Sequence, residues 1–318
     1  MASVFSEAYF QDEAAAFERL ETIVWPNGPV CPHCGCTGRI RPLTGVKDKK
    51  GRVRLGLRKC YDCKGQFTVR KGTVFEDSPI PLHIWFQAAF LMCSSKKGVS
   101  SNQLHRTLGV TLKTAWFMSH RLREAMRSGD LSPLGGEGKT VEADETYIGR
   151  LVDVPKQRHG YAHKNVVLTL VERGGAARSW HVDTTTVGTL IPIIRANVAH
   201  ETAMMTDQAS WYKNLNKDGD FASHDSVDHS KDEYIRRDGD RMIGTNTVEG
   251  YYSIFKRGMK GIYQHCSERH LHRYLAEFDF RYSNRVRLGV NDTERATRAL
   301  RGIVGRRLTY RDSSAPAK

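Results

Sequence analysis

The pattern of hydrophobic and polar positions divides the chain into a helical first part and a second part that opens with strands. Apolar residues recur with helical periodicity in 12–25, 80–94 and 100–126, and "LGV" separates the last stretch into two helices, as in a helix-turn-helix. Between the first two stretches, "PNGPVCPHCGC" interrupts the periodicity with proline, glycine and cysteine. We therefore predict a helix, a cysteine-rich module, an apolar helix and a helix-turn-helix.

After a linker rich in glycine, serine and proline at 127–139, the pattern changes to an alternation typical of strands. The predicted order is three strands, a helix, a strand ending at Asp207, a helix, a strand near 221–229 and two helices. The stretches that carry this prediction are "TVEADETYI", "NVVLTLVE", "ARSWHVDT", "GTLIPIIRANVA", "TAMMT", "TNTVEGYYSIFKRG" and "SERHLHRYLAEFDFRYSNR". Strands mixed with helices in this order indicate an α/β fold class.

Composition adds a preference for polyanions. The 318 residues are 39% hydrophobic, which is enough for globular cores, and 49 Lys and Arg against 35 Asp and Glu give a net charge of +14. This positive charge predicts nucleic acid as the first candidate partner and an anionic membrane surface as the second. The longest apolar stretch, "IPLHIWFQAAFLMC", is too short to span a bilayer, and the N-terminus carries no secretory signal, so we expect a cytoplasmic protein.

The seven cysteines of a cytoplasmic protein stay reduced, so a regular spacing among them indicates a metal site. "CPHC" contains Cys31 and Cys34, and "CYDC" contains Cys60 and Cys63. Two such knuckles complete a four-thiolate site without an open position, which predicts structural rather than catalytic Zn²⁺. Cys36 is an alternative ligand to Cys34, and four unrelated buried cysteines are the simpler alternative.

The second helix of the predicted helix-turn-helix carries basic residues outside its apolar stripe. Lys113, Arg121 and Arg123 are therefore candidates for contacting DNA, because such a helix fits the major groove. The alternative is a helical hairpin whose periodicity serves only its own packing.

Carboxylates interrupt the first predicted core strand, where acidic side chains destabilise unless they are paired, exposed or bound to a metal. Alternation places Glu142 and Asp144 on one face and Glu145 on the other. Asp207 ends a second strand, and carboxylates at the ends of neighbouring parallel strands converge within reach of Mg²⁺. Taken singly, Asp207 as a helix cap and Asp144 as an exposed strand residue are the alternatives.

The stretch "TNTVEGYYSIFKRG" places Asn246, Glu249 and Lys256 on nearly one face of a helix, since they are three and seven residues apart. A solvated salt-bridge face is the simple interpretation. The functional interpretation makes Glu249 the third metal-binding carboxylate, Asn246 the helix cap, and Lys256, with the adjacent Arg257, a contact to DNA phosphate.

The chain resembles bacterial insertion-sequence transposases of the zinc-ribbon, DDE type. The resemblance rests on "WPNGPVCPHCG", "KCYDCKGQFTVRKGTVFEDSPIPLHIWF", "VEADETYIG", "MTDQASWY" and the block from "TNTVEGYYSIFKRG" to "FRYSNR". It implies an RNase H-like core in which Asp144 and Asp207 are catalytic, with either Asn246 or Glu249 as the third residue and Lys256 on the same helix. Relatives commonly have a histidine where this chain has Gly244.

The resemblance further implies a transposase that binds terminal inverted repeats, cleaves DNA with Mg²⁺ or Mn²⁺ and joins the 3′-OH to target DNA. Handling two ends suggests a homo-oligomer on double-stranded DNA. Alternatives are a DNA-binding regulator and a nuclease without strand-transfer activity. The expected domains are a helix and zinc ribbon at 1–76, a helix-turn-helix at 77–130, the RNase H-like core at 137–287 and a basic tail at 288–318.

Overall fold

The computed structural model describes residues 3–130, 132–152, 154–156, 158–231, 233, 235–239 and 241–309. The described residues form two compact units. Unit 1 draws on the segments Met1–Ser95, Val99–Met126 and Asn291–Lys318, and unit 2 draws on Lys96–Gly98 and Arg127–Val290. None of the helices in the described part of the chain combines the length and the hydropathy needed to cross a membrane.

Unit 1 begins with a helix and a small antiparallel sheet. Helix α1 (Glu13–Val24) starts where the Asp12 carboxylate accepts the N–H of Ala15 at 2.8 Å. The sheet, in the order β1-β2-β3, consists of β1 (Ile40–Pro42), β2 (Arg58–Cys60) and β3 (Gln66–Phe67). An ion pair of 2.5 Å between Arg58 and Glu21 ties the sheet to α1.

Four further helices complete unit 1. They are α2 (Leu82–Ser94), α3 (Ser101–Leu108), α4 (Leu112–Met126) and, at the other end of the chain, α8 (Asp292–Arg301). Gly109 ends α3 in the left-handed region (φ 64°), which allows the sharp turn into α4. Helix α3, the turn and α4 form the predicted helix-turn-helix.

Helix α8 was not predicted, because its segment was interpreted only as a basic tail. It packs against α2 in unit 1, where Arg295 donates to the carbonyl O of Cys93 at 2.9 Å. After the helix, a Cβ on Gly302 would overlap the carbonyl O of Ala125 at the end of α4. The absence of a side chain at Gly302 therefore permits close backbone packing.

Unit 2 is built on a five-stranded mixed sheet. Its strands are β4 (Thr140–Ile148), β5 (Asn165–Glu172), β6 (Ala177–Val182), β7 (Ala203–Asp207) and β8 (Ser223–Val227). The order is β6-β5-β4-β7-β8; β5 pairs antiparallel with both β4 and β6, whereas β7 pairs parallel with both β4 and β8. This is the arrangement of an RNase H-like core, and the predicted strand near 221–229 is β8.

The sheet has a hydrophobic core on each face. One core includes helix α5 (Val187–Asn197) and the side chains of Val141 and Ala143. The other is formed by α6 (Asn246–Gly258), which continues as one π-helical turn, and α7 (Glu268–Ser283). Side chains in this second core include Val167, Val171, Val248, Tyr251, Tyr252, Phe255, Leu271, Tyr274, Leu275 and Phe278.

Two parts of unit 2 differ from the prediction. Residues 210–218 form turns instead of a helix, because N–H groups bond three residues back, as Leu215 does to Tyr212 at 2.9 Å. A hairpin of β9 (Ile235–Asp238) and β10 (Arg241–Gly244) precedes α6. The alternation in this short, mostly exposed hairpin is too brief to identify from sequence.

Candidate active site

The acids of the core meet at one edge of the sheet. Strands β4 and β7 are parallel, with Glu142 opposite Met205, so Asp144 and Asp207 lie towards the same strand ends. Carboxylate oxygens of Asp144, Glu145 and Asp207 all lie within 4.8 Å of one another. Three carboxylates at this separation match the hard oxygen ligands that Mg²⁺ prefers.

The cluster includes Glu145, for which the alternation predicted only a position on the face of the strand opposite Asp144. Its carboxylate accepts the hydroxyl of Tyr212 at 2.7 Å and the indole N–H of Trp211 at 3.3 Å. Both donors lie in the turns that follow Asp207. The available signal was the pair of hydrogen-bond donors in "DQASWY", but only the fold shows that they reach Glu145.

The electrostatics of the cluster reflect excess negative charge. Burial, and then the charges of Glu145 and Asp207, raise the pKa of Asp144 well above its ordinary value, and Glu249 contributes in the same direction. Burial also raises the pKa of Glu145, against the opposing hydrogen bond from Tyr212. A bound cation would relieve this repulsion.

Helix α6 carries Asn246, Glu249 and Lys256, the three residues predicted to share one helical face. Glu249 is partly buried and accepts the hydroxyl of Thr245 at 3.1 Å, whereas Asn246 is exposed. The interpretation of Asn246 as the cap is wrong: Thr245 occupies the cap position and Asn246 is the first helical residue. The Lys256 ammonium lies 5.7 Å from the centre of the Tyr252 ring on the same helix.

Tyr252 links α6 to the acid-bearing strand. Its hydroxyl donates to the backbone carbonyl of Asp144 at 2.7 Å. The same hydroxyl lies 3.1 Å from the carbonyl O of Val167 on β5. Tyr252, on the bulky face of α6, thus fixes the backbone of β4 at Asp144, the first predicted catalytic carboxylate.

Glu142 faces α6, but it lies outside the carboxylate cluster identified among the described residues. One of its oxygens accepts the backbone N–H groups of Thr247 at 2.7 Å and Val248 at 2.9 Å. The other accepts Nε of Arg173 at 2.7 Å. Arg173 also donates to the carbonyl O of Gly244, at 2.8 Å.

The four predicted zinc ligands lie together in unit 1. The Cys31 and Cys63 sulfurs are 3.7 Å apart, as are those of Cys34 and Cys60. Tetrahedral Zn²⁺ with Zn–S bonds of about 2.3 Å separates its sulfurs by about 3.8 Å, so the sulfur positions fit zinc. The alternative ligand Cys36 groups instead with Cys60 and Asp62.

The residues predicted to contact DNA divide into exposed and buried ones. Lys113 and Arg257 are exposed, and Lys256 is partly exposed. Arg121 and Arg123 are 7% and 1% exposed, and Arg121 donates to the carbonyl O of Leu308 at 3.1 Å. Their burial corrects the prediction that these two arginines contact DNA: the helical stripe they occupy faces the interior of unit 1.

Comparison with known proteins agrees with this geometry. Residues 133–283 match the ISXO2-like transposase domain, and residues 11–66 match the transposase zinc-ribbon domain. The chain belongs to the insertion-sequence transposases. An uncharacterized protein in transposable element ISH50 of Halobacterium salinarum is 29% identical over 288 residues, which cover 86% of this chain and 91% of that protein.

Membership of this transposase family agrees with the two kinds of metal site. The zinc-ribbon match spans Cys31 to Cys63, so the thiolate cluster is a structural Zn²⁺ site. The DDE domain of a transposase uses a divalent cation such as Mg²⁺, and the carboxylates of the core fit one. The Halobacterium relative is archaeal, so the family is not confined to bacteria.

Proposed function

We propose that this transposase hydrolyses DNA at the ends of its element and joins the freed 3′-OH to target DNA, with Asp144, Asp207 and Glu249 as its catalytic carboxylates. The supporting observation is the convergence of Asp144, Glu145 and Asp207 within 4.8 Å at one edge of the sheet. Glu249 adds to the negative charge that acts on Asp144. We propose that this chemistry belongs to a core domain at residues 137–287.

Asp144 and Asp207, with Glu145 beside them and Glu249 on α6, would hold Mg²⁺ or Mn²⁺. The donor set is entirely carboxylate oxygen, which suits hard divalent cations and not a thiolate-bound metal. A divalent cation bound there supplies Lewis-acid catalysis of phosphoryl transfer. Tyr212 and Trp211 orient Glu145 by hydrogen bonds, and Tyr252 fixes the backbone of Asp144.

The basic residues of each unit have separate proposed roles. In unit 1, exposed Lys113 on α4 contacts the DNA of the terminal inverted repeat. In unit 2, Lys256 and Arg257 near the end of α6 contact phosphates of the DNA that is cut. Two ends in one reaction require at least two copies of the chain, so we propose a homo-oligomer on DNA, which light scattering with and without end DNA would measure.

The deciding experiment uses a labelled duplex that carries one end of the element and an unlabelled target. Wild-type protein with Mg²⁺ should cut the duplex and transfer the label to the target. Asp144→Asn should bind the duplex but neither cut nor transfer, whereas Asp183→Asn, which changes an exposed acid after β6, should do both. Cutting without transfer by the wild type would identify a nuclease, and binding without cutting would identify a regulator.

A further inference from the structure

Helix α6 lacks a cap of its own. The side chain of Thr245, at the cap position, makes no capping hydrogen bond to a backbone N–H of the first turn, and its hydroxyl donates to the Glu249 carboxylate at 3.1 Å. The N–H groups of that turn have no partner within the helix and need one elsewhere. The bonds from Thr247 and Val248 to Glu142 supply it from a residue more than one hundred positions earlier in the chain.

Arg173 completes the attachment from the other side. The Nε–H of its guanidinium donates to the Glu142 carboxylate at 2.7 Å. One terminal N–H group donates to the carbonyl O of Met242 at 2.5 Å, and the other donates to the carbonyl O of Gly244 at 2.8 Å. Both carbonyls belong to β10, the strand that runs directly into α6. One planar group therefore fixes both the carboxylate cap and the chain that enters the helix.

Glu142 also lies two residues before Asp144 on the same face of β4. One strand thus presents two acids to α6: Glu142 holds the start of the helix, and Asp144 belongs to the carboxylate cluster. The contact between Glu142 and the first turn of α6 lies two residues from Asp144 on the strand and within one helical turn of Glu249. It therefore fixes the distance between Asp144 and Glu249. Glu142 is only 1% exposed, so water does not compete for its bonds.

We propose that Glu142 and Arg173 are a positioning pair that holds Glu249 opposite Asp144 for cleavage. The inference rests on the proposed function, because that function gives Glu249 its role. The pair acts through α6 and neither residue touches DNA or metal. Because three acceptors are held by one guanidinium, a lysine at position 173 keeps the charge but loses the attachment.

The test compares Arg173→Lys, Arg173→Gln and Glu142→Gln with a matched control, Glu172→Gln, in the full-length zinc-loaded protein. Glu172 is partly buried and, like Glu142, its carboxylate accepts a backbone N–H, from Gly135 at 3.0 Å, and pairs with a cation, Lys139 at 3.0 Å. Its bonds go to the start of the core and not to α6. The control therefore reports the general effect of losing such a carboxylate.

The first readout is hydrogen–deuterium exchange without DNA or added metal. The amides of Thr247 and Val248 should exchange faster in the three variants than in wild type and Glu172→Gln. The second is cleavage: kcat should fall about tenfold to a hundredfold, as expected for misplacement of a catalytic group, while the Kd for the end duplex stays constant. The Mg²⁺ concentration for half-maximal rate should rise.

The two readouts separate the inference from the function on which it rests. Wild-type protein that does not cleave DNA would overturn both. If wild type cleaves, then Arg173→Lys with wild-type kcat, or losses no larger than that of Glu172→Gln, would overturn the positioning pair alone. Unchanged exchange of the Thr247 and Val248 amides in the variants would also overturn the positioning pair alone. If Glu142→Gln does not fold, the two Arg173 variants decide.

Discussion

The hydroxyl of Tyr212 donates to the carboxylate of Glu145 at 2.7 Å, so the strand that carries Asp144 is tied directly to the turns that follow Asp207. Tyr212 is buried and packs in the core beside α5. This bond links β4, which bears Asp144, to the chain that follows Asp207 at the end of β7. It also keeps the carboxylate of Glu145 oriented towards Asp144 and Asp207.

Replacing Tyr212 by Phe should weaken metal binding without changing the fold. Phe fills the same space, and the lost hydrogen bond should destabilise the protein by about 1 kcal/mol. The hydroxyl lowers the pKa of Glu145, so its removal raises that pKa and favours the proton over Mg²⁺. The half-maximal Mg²⁺ concentration for cleavage should therefore rise. Tyr263→Phe, which loses a 2.6 Å bond to Glu277, is the control and should leave it unchanged.

Magnesium should stabilise the protein more at high pH than at low pH. The pKa of Asp144 is raised in the folded protein, so this group stabilises the metal-free fold at low pH and loses that contribution as pH rises through the folded pKa. The same proton competes with Mg²⁺, whose affinity therefore increases with pH. The Tm increment on adding Mg²⁺, measured over a pH series, should grow with pH. An increment that is constant with pH, or retained in Asp144→Asn, would contradict this.

Glu249→Gln should abolish cleavage and joining while DNA binding persists, whereas Asn246→Ser should retain activity. A carboxylate offsets the charge of divalent cations, but a neutral amide contributes only a dipole. Asn246 is exposed and Glu249 is partly buried, beside Thr245. Both variants should be assayed on the labelled end duplex. Normal cleavage by Glu249→Gln with inactive Asn246→Ser would make the amide the third catalytic group.

Purified protein should contain about one zinc per chain, held by Cys34 and not by Cys36. Cys34→Ser should lose zinc and stability, since the ribbon has few buried side chains besides its cysteines. Cys36→Ser should keep its zinc because Cys36 lies outside the four-sulfur cluster. Metal analysis and thermal unfolding of the two variants are the measurements. Loss of zinc from Cys36→Ser but not from Cys34→Ser would show that Cys36, and not Cys34, is the ligand.

Lys113→Ala should weaken DNA binding, whereas Arg123→Ala should destabilise the protein. Removing one phosphate contact lowers affinity for all sequences and reduces the salt slope by about one. Arg123 is buried and donates to the hydroxyl of Ser119 at 2.9 Å, so its loss should cost roughly 1–3 kcal/mol of stability. Fluorescence anisotropy over a salt series and thermal unfolding distinguish the two effects.

Periodicity is sufficient for the five strands of the main sheet and for helices α5, α6 and α7. The alternation around Asp144 and the helical spacing around Glu249 each depend on a few neighbouring residues, so a pattern captures them. The bond from Tyr212 to Glu145 spans 67 positions and that from Thr247 to Glu142 spans 105. No local pattern contains such pairs, and the roles of Glu145 and Glu142 therefore required the fold.

Basic composition does not reveal the buried faces of helices α4 and α8 in unit 1. The tail at 288–318 is basic as a whole, yet within "DTERATRALR" the residues Ala296, Ala299 and Leu300 form a buried stripe on α8. Likewise, Arg121 and Arg123 are basic residues predicted to lie outside the apolar stripe of α4, although the helix turns both towards the interior of unit 1. A guanidinium can be buried where carbonyl oxygens accept its N–H groups, and charge alone does not reveal this.

Helix α8 has a consequence for the synthesis of the protein. Unit 1 leaves off at Met126 and resumes at Asn291, so unit 2 is an insertion within it along the chain. A ribosome that has released only the ribbon and the helix-turn-helix has not yet made the helix that packs on α2. Unit 1 is complete only after the acids of the core have been translated, so a product that ends before Asn291 lacks the helix that completes unit 1.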